Sequence, residues 1–240
     1  MALFVSFEGG EGSGKSTQAR LLAEWLSASK QAVVLVREPG STSLGNALRR
    51  LVKGVPMSPL AELLLFGAAR AELVATVLRP HLGKDHIVIA DRYSDSTIAY
   101  QQYGRQLPEA EVSSAIELAT GGLKPQLTFL LDLPPEKGRN RAGHSQIALA
   151  LGENAKRGRV DDASQTRFER ESLQFHQRVR AGYKALAQRE RERWVVLDAT
   201  RSIESLHQEI RARLAPLLPQ PLSRGVDLLD LTEPEWPPAG

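Results

Sequence analysis

The chain has 240 residues, with 31 Lys and Arg against 28 Asp and Glu, a formal net charge of +3 and no cysteine. This length gives one domain with a sizeable core, and 25% charged with 42% apolar residues is the balance of a globular protein in water. The small net charge argues against general nucleic-acid binding, the missing cysteines exclude disulfides and thiolate chemistry, and no apolar stretch reaches membrane-spanning length.

In chain order, Leu3–Phe7 reads as a buried strand. No basic segment or cleavage site precedes it, so the protein is expected in the cytoplasm, with no membrane or nucleic-acid partner. Directly after it comes G-x-x-x-x-G-K-S over Gly9–Ser16, and then a helical pattern over 15–28. A strand before and a helix after are the context that makes this motif a phosphate-binding loop. Its glycines let backbone N–H groups turn inward, and the helix adds the positive end of its dipole. Gly10, Glu11, Gly12, Ser13, Gly14, Lys15, Ser16 and Thr17 are therefore assigned to a triphosphate. Lys15 is its mobile charge and Ser16 a ligand for Mg²⁺.

A second strand over Ala32–Val36 leads into Arg37-Glu38-Pro39-Gly40, and helical patterns follow over 44–53 and 59–80. The run Ile87–Ala90 closes on Asp91, with Arg92-Tyr93 beyond; helices over 95–103 and 108–120 come next. Leu127–Leu131 ends in Asp132 and Trp194–Leu197 in Asp198, with helices over 166–190 and 202–214 around the last strand. Uninterrupted apolar runs separated by helices predict a P-loop α/β fold. Its core is a doubly wound five-stranded parallel sheet with helices on both faces. The phosphate-binding loop, Arg37-Glu38-Pro39-Gly40 and Asp91-Arg92-Tyr93 all follow strand ends, so they converge on one edge. The segment from Arg139 to Arg159 is rich in Gly, Ala and basic residues and is expected to form a mobile lid, about 139–165. The tail 219–240 is Pro-rich and acidic, and is expected to lack a stable fold of its own, although Leu228, Leu229, Leu231 and Trp236 give it a means of docking on a surface.

Asp91 at a strand end is placed to hold the shell of a Mg²⁺ ion, and Arg92 beside it suits a bidentate grip on a second phosphate. No N-K-x-D follows, which argues against a GTPase.

These pieces resemble bacterial thymidylate kinases with a basic lid. The matching blocks are Phe7–Gln18, Arg37–Thr42, Leu64-Leu65-Phe66 with Arg70, Asp91–Gln101, Leu131–Pro135 and Arg178–Tyr183. The resemblance implies a nucleoside monophosphate kinase domain over 1–218 that transfers the γ-phosphoryl group of Mg-ATP to dTMP, and a homodimer. It implies that Phe66 stacks on thymine, that Arg70, Ser96, Thr97 and Gln101 contact the nucleotide, and that Tyr100 packs on the deoxyribose. Arg37 and Arg92, with Arg49 as a further candidate, would hold the acceptor phosphate; Pro39 would follow a cis bond, and Glu11 would lie near the 3′-hydroxyl. Lys15, Asp91 and Arg92 would be catalytic.

From pattern alone, Phe66 reads first as a core residue of helix 59–80, Arg70 also as a solvated arginine and Arg49 equally as an exposed helix arginine. Some relatives carry an arginine inside the loop where Gly12 stands here. The resemblance then assigns the extra cation to the lid, where Arg141 and Arg159 are preferred over Arg139, Lys156 and Arg157. Ala69, Thr166 and an insert around Gly143–Asn154 depart from the family pattern, with Asp161 or Asp162 as substitutes for a lost carboxylate. The alternatives are another P-loop nucleotide or deoxynucleoside kinase, or a catalytically silent relative.

Overall fold

The computed structural model describes residues 2–139, 141, 167–218 and 228–232. The sheet residues alternate faces with a period of two. Leu3, Val5, Phe7, Val33, Leu35, Ile87 and Ile89 pack on one side, while Phe4, Val34, Val36, Val88 and Ala90 pack on the other. Burial on both faces is why these strands read as continuous apolar runs rather than as alternating ones.

The elements are β1 (Leu3–Glu8), α1 (Lys15–Ala28), β2 (Val33–Arg37), α2 (Ser43–Gly54) and α3 (Pro59–Leu73). A π-helical stretch (Val74–Leu78) carries α3 into α4 (Arg79–Leu82), followed by β3 (Ile87–Asp91). Then come α5 (Ser94–Thr97), continued by a second π-helical stretch (Ile98–Gly104), α6 (Glu109–Thr120) and β4 (Leu127–Asp132). The described chain closes with α7 (Leu173–Arg189), β5 (Trp194–Asp198), α8 (Ile203–Leu214) and β6 (Leu229–Asp230). Side chains set several helix starts: Thr42, Ser58, Ser172 and Ser202 each accept a hydrogen bond from a first-turn N–H.

Two expectations are corrected. The sheet has six strands, in the order β5-β4-β1-β3-β2-β6, not five. The sixth comes from the tail, where Leu229 and Asp230 pair in parallel with Val34 and Leu35 and cover an edge otherwise left open. The helix expected over 166–190 starts only at Leu173. The Ser172 hydroxyl caps it there, and residues 167–170 form turns. Of the expected lid, only Arg139 and Arg141 are among the described residues. Lys156, Arg157, Arg159, Asp161, Asp162, Thr166 and the insert lie outside them, as does Trp236.

All pairings among the strands are parallel, and the register aligns Phe7 and Arg37 with Asp91. The connection from β1 runs towards β2, and that from β3 runs back past β1 to β4. The crevice for ligand therefore opens between the carboxyl ends of β1 and β3. Among the described residues no helix is long and apolar enough to cross a membrane.

The core beneath the crevice is tightly filled. Phe129 of β4 is fully buried and stacks on Phe7, with ring centroids 5.3 Å apart. Phe129→Ala is expected to lower the free energy of urea unfolding by about 3–5 kcal/mol. Leu118 on α6 is 86% exposed, and Leu118→Ala should change it by no more than about 0.5 kcal/mol.

Candidate functional site

The loop after β1 is shaped by its glycines. Gly12 (φ 68°) and Gly14 (φ 91°) adopt left-handed backbone, and Gly14 immediately precedes α1. A Cβ on Gly12 would lie 2.3 Å from the Gly138 carbonyl oxygen, and one on Gly138 would lie 2.3 Å from that of Glu11. The loop and the segment after β4 thus touch through two glycines, which leaves no room for a side chain at position 12.

Lys15 is buried. It donates to the Gly10 carbonyl at 2.7 Å and to Ser13 Oγ at 3.2 Å, filling the loop it would share with a phosphate. Burial, reinforced by the Arg92 charge, lowers the Lys15 ammonium to about 8 despite the opposing carboxylates of Glu11, Asp91 and Glu8. Ser16 Oγ donates to Asp91 Oδ2 at 2.5 Å, so two hard oxygen donors meet at the mouth of the loop, which is the donor chemistry Mg²⁺ prefers. No group of three or more His, Asp or Glu side chains is placed to hold a metal among the described residues. A Mg²⁺ ion there would complete its shell with ligand and water oxygens.

Arg92 stands at the centre. Its backbone is left-handed (φ 73°), rare for a residue with a side chain, and its N–H donates to the Phe7 carbonyl. Nη1 donates to the Gly9 carbonyl, Ser96 Oγ and Tyr183 Oη at 3.1–3.2 Å; Nη2 donates to Glu11 Oε1 and Tyr100 Oη at 3.0 and 3.1 Å. Withdrawal from water would raise the Glu11 carboxyl, but the Arg92 and Lys15 charges and the Tyr100 hydroxyl outweigh it and hold it at about 2. Beneath them Glu8 is fully buried and accepts from Tyr93 N–H, Ser96 Oγ and Tyr183 Oη. Burial and the neighbouring Asp95 push Glu8 up to about 7.

On the far side of Arg92 a cavity is lined by Glu11, Pro39, Arg49, Phe66, Arg70, Arg92, Ser96, Thr97, Tyr100 and Gln101, together with Glu38, Lys53, Phe168 and Glu169. Ten of the residues singled out in the sequence thus come together here. Arg70 is not solvated: it is 3% exposed and donates to Glu38 Oε2, Thr97 Oγ1 and the Tyr93 carbonyl. Gln101 Nε2 donates to Glu62 Oε1, and the fully buried Glu62 also pairs with Arg105 and Arg167. The Glu38–Pro39 bond is cis. Arg49 Nη1 donates to the Pro39 carbonyl, and burial and the Arg37 charge press its guanidinium downward.

Arg37 is the exception. It lines a separate cavity with Ser16, Thr17, Asp91 and Thr232 rather than the one with Phe66. Arg141 donates to the Ala199 carbonyl and lines a third cavity with Gly12, Ser13, Gly14 and Thr17. Phe168, whose ring lies 6.0 Å from Phe66 and 5.8 Å from Tyr100, was not anticipated as a wall, nor was the anchoring role of Glu38 and Glu62. In the sequence only the run Arg167-Phe168-Glu169 carries a signal for Phe168.

The thymidylate kinase family model matches residues 7–210. The chain is 49% identical over 223 residues to the thymidylate kinase of Roseiflexus castenholzii, covering 91% of this chain and 95% of that one. It is 44% identical to that of Desulfovibrio desulfuricans, covering 94% and 100%. The crystal structure of thymidylate kinase from Ehrlichia chaffeensis matches with a TM-score of 0.67 at 32% identity, over 89% of this chain and 98% of that one.

The depressed Lys15 ammonium has a pH signature. A bound phosphate favours the charged form, so above about pH 8 binding must take up a proton. The affinity for inorganic triphosphate should fall above about pH 8 with a slope approaching one decade per pH unit by calorimetry. Lys15→Arg, charged throughout, should show no such slope. A flat profile in the unsubstituted protein would contradict the assignment.

Proposed function

The chain belongs to the thymidylate kinase family, and from that premise we propose how its residues divide the transfer of the γ-phosphoryl group of ATP to dTMP. The observation that carries the reading is the Arg92 guanidinium, which bonds the phosphate-binding loop at Gly9 and Glu11 and the wall of the neighbouring cavity at Ser96 and Tyr100. One cation therefore borders both the donor loop and the acceptor cavity, as transfer between two phosphates requires.

In this reading residues 1–218 are the kinase domain, and loop residues Gly10–Thr17 take the ATP phosphates with Lys15 as their mobile charge. Ser16 and Asp91 hold Mg²⁺, which supplies charge neutralisation when bound. The dTMP phosphate lies against Arg92, Arg37 and Arg49, beside Pro39. Thymine stacks on Phe66, and Arg70, Ser96, Thr97 and Gln101 fix the nucleotide. Tyr100 and Glu11 face the sugar. The attacking oxygen is already anionic near neutral pH, so the residues align and neutralise rather than abstract a proton. Arg141, near the loop, and Arg159 supply cation that position 12 has no room for. Exposed Leu44, Leu51, Val55, Leu60 and Leu64 on or beside α2 and α3 support a homodimer through these helices. The use of ATP and dTMP sets the protein in the cytoplasm.

A coupled assay with Mg-ATP across dTMP, dUMP, dGMP, dCMP and UMP tests this. The expected result is strong preference for dTMP, weaker use of dUMP, and loss of about 10²–10³-fold in kcat on Lys15→Ala. Preference for another base would overturn the assignment of Phe66 and its neighbours.

A further inference from the structure

The tail strand is more than a cover for the sheet edge. It lies beyond residue 210, where the family match ends, yet it is firmly seated. Leu231 N–H donates to the Leu35 carbonyl at 2.8 Å, Leu228 packs on one face of the sheet, and Leu231 packs on the other. Thr232 is fixed by its own N–H and hydroxyl, both of which donate to Asp230 Oδ1. This pairing delivers the Thr232 carbonyl to the carboxyl end of β2, where it accepts from Arg37 Nη2 at 2.5 Å. No carboxylate pairs with Arg37 among the described residues, and its Nε is buried without a partner.

The surroundings explain why such a hold matters. The charge of Arg37 bears on Arg49 and Lys53, which line the neighbouring cavity with Phe66. Before a phosphate arrives, these like charges push Arg37 away. A carboxylate would hold it but would also neutralise it. A backbone carbonyl holds it with its charge intact and takes only one of its five N–H groups, leaving other Nη hydrogens for a dianion.

We propose that β6 is a positioning element for the reaction: the Thr232 carbonyl pre-organises Arg37 for the acceptor phosphate. This rests on the assignment of Arg37 to that phosphate. Holding the guanidinium in advance lowers the ordering cost when dTMP binds, so the gain falls on acceptor affinity.

The test is a double-mutant cycle in steady-state kinetics. A chain ending at Leu218 is compared with the full chain, each with Arg37 and with Arg37→Ala. With Arg37 present, removing the tail should raise KM for dTMP by about tenfold, while kcat and KM for ATP stay within about twofold. With Arg37→Ala, KM for dTMP is already raised, and removing the tail should add less than about twofold. Leu231→Pro in the full chain, which deletes the donor to Leu35, should reproduce the truncation and carries the cycle if the shortened chain does not fold. An unchanged or lowered KM on truncation, or an equal rise in both backgrounds, would overturn the proposal. An unchanged KM in full-length Arg37→Ala would instead overturn the assignment of Arg37 itself.

Discussion

The carboxyl edge of this sheet is organised around the five hydrogen bonds of the Arg92 guanidinium. They are possible because Asp91 and Arg92, adjacent in sequence, serve opposite sides of the crevice. Asp91 faces Ser16 at the loop, while the left-handed backbone at Arg92 swings its side chain towards Tyr100 and Tyr183. That backbone costs about 1 kcal/mol or more and persists because its surroundings over-determine it. The Phe7 carbonyl holds its N–H, and the buried Glu8 holds the N–H of the next residue, Tyr93.

The buried carboxylates belong to the same scheme. Glu8, Glu38 and Glu62 are each withdrawn from water, and each orients donors at the walls of the crevice. Glu38 fixes Arg70, which in turn fixes Thr97; Glu62 fixes Gln101 and ties α3 to Arg167. A buried charge without such partners would be costly, so these pairs set the rotamers of the cavity as much as they stabilise the fold. The close approach of Gly12 and Gly138 follows a similar logic. By bringing the chain after β4 against the loop, it removes the space a loop arginine would occupy.

The strands that carry the site were legible because burial on both faces writes them as unbroken apolar runs, and the loop because its glycines and lysine have few other uses at that spacing. The sixth strand was not legible. Two residues in a Pro-rich tail carry no periodicity, and their pairing depends on β2 being an edge, which is a property of the assembled sheet. The role of Glu62 is not legible in the sequence because its partners, Gln101, Arg105 and Arg167, lie far along the chain. Phe66 and Arg70, and Thr97 and Gln101, each four residues apart, line one shared cavity. The spacing could not reveal that Arg70 and Gln101 already spend donors on buried glutamates. Nor could it show that Arg37, at the end of its strand, turns to the tail.

The Arg92 fork, not merely its charge, joins the phosphate-binding loop to the cavity with Phe66. Titration calorimetry of dTMP into Arg92→Lys tests it most directly, because lysine keeps the charge but cannot span both sets of partners. The expected result is a fall in dTMP affinity of about tenfold or more while the protein stays folded and binds ATP as before. Undiminished dTMP binding in a folded Arg92→Lys protein would contradict it.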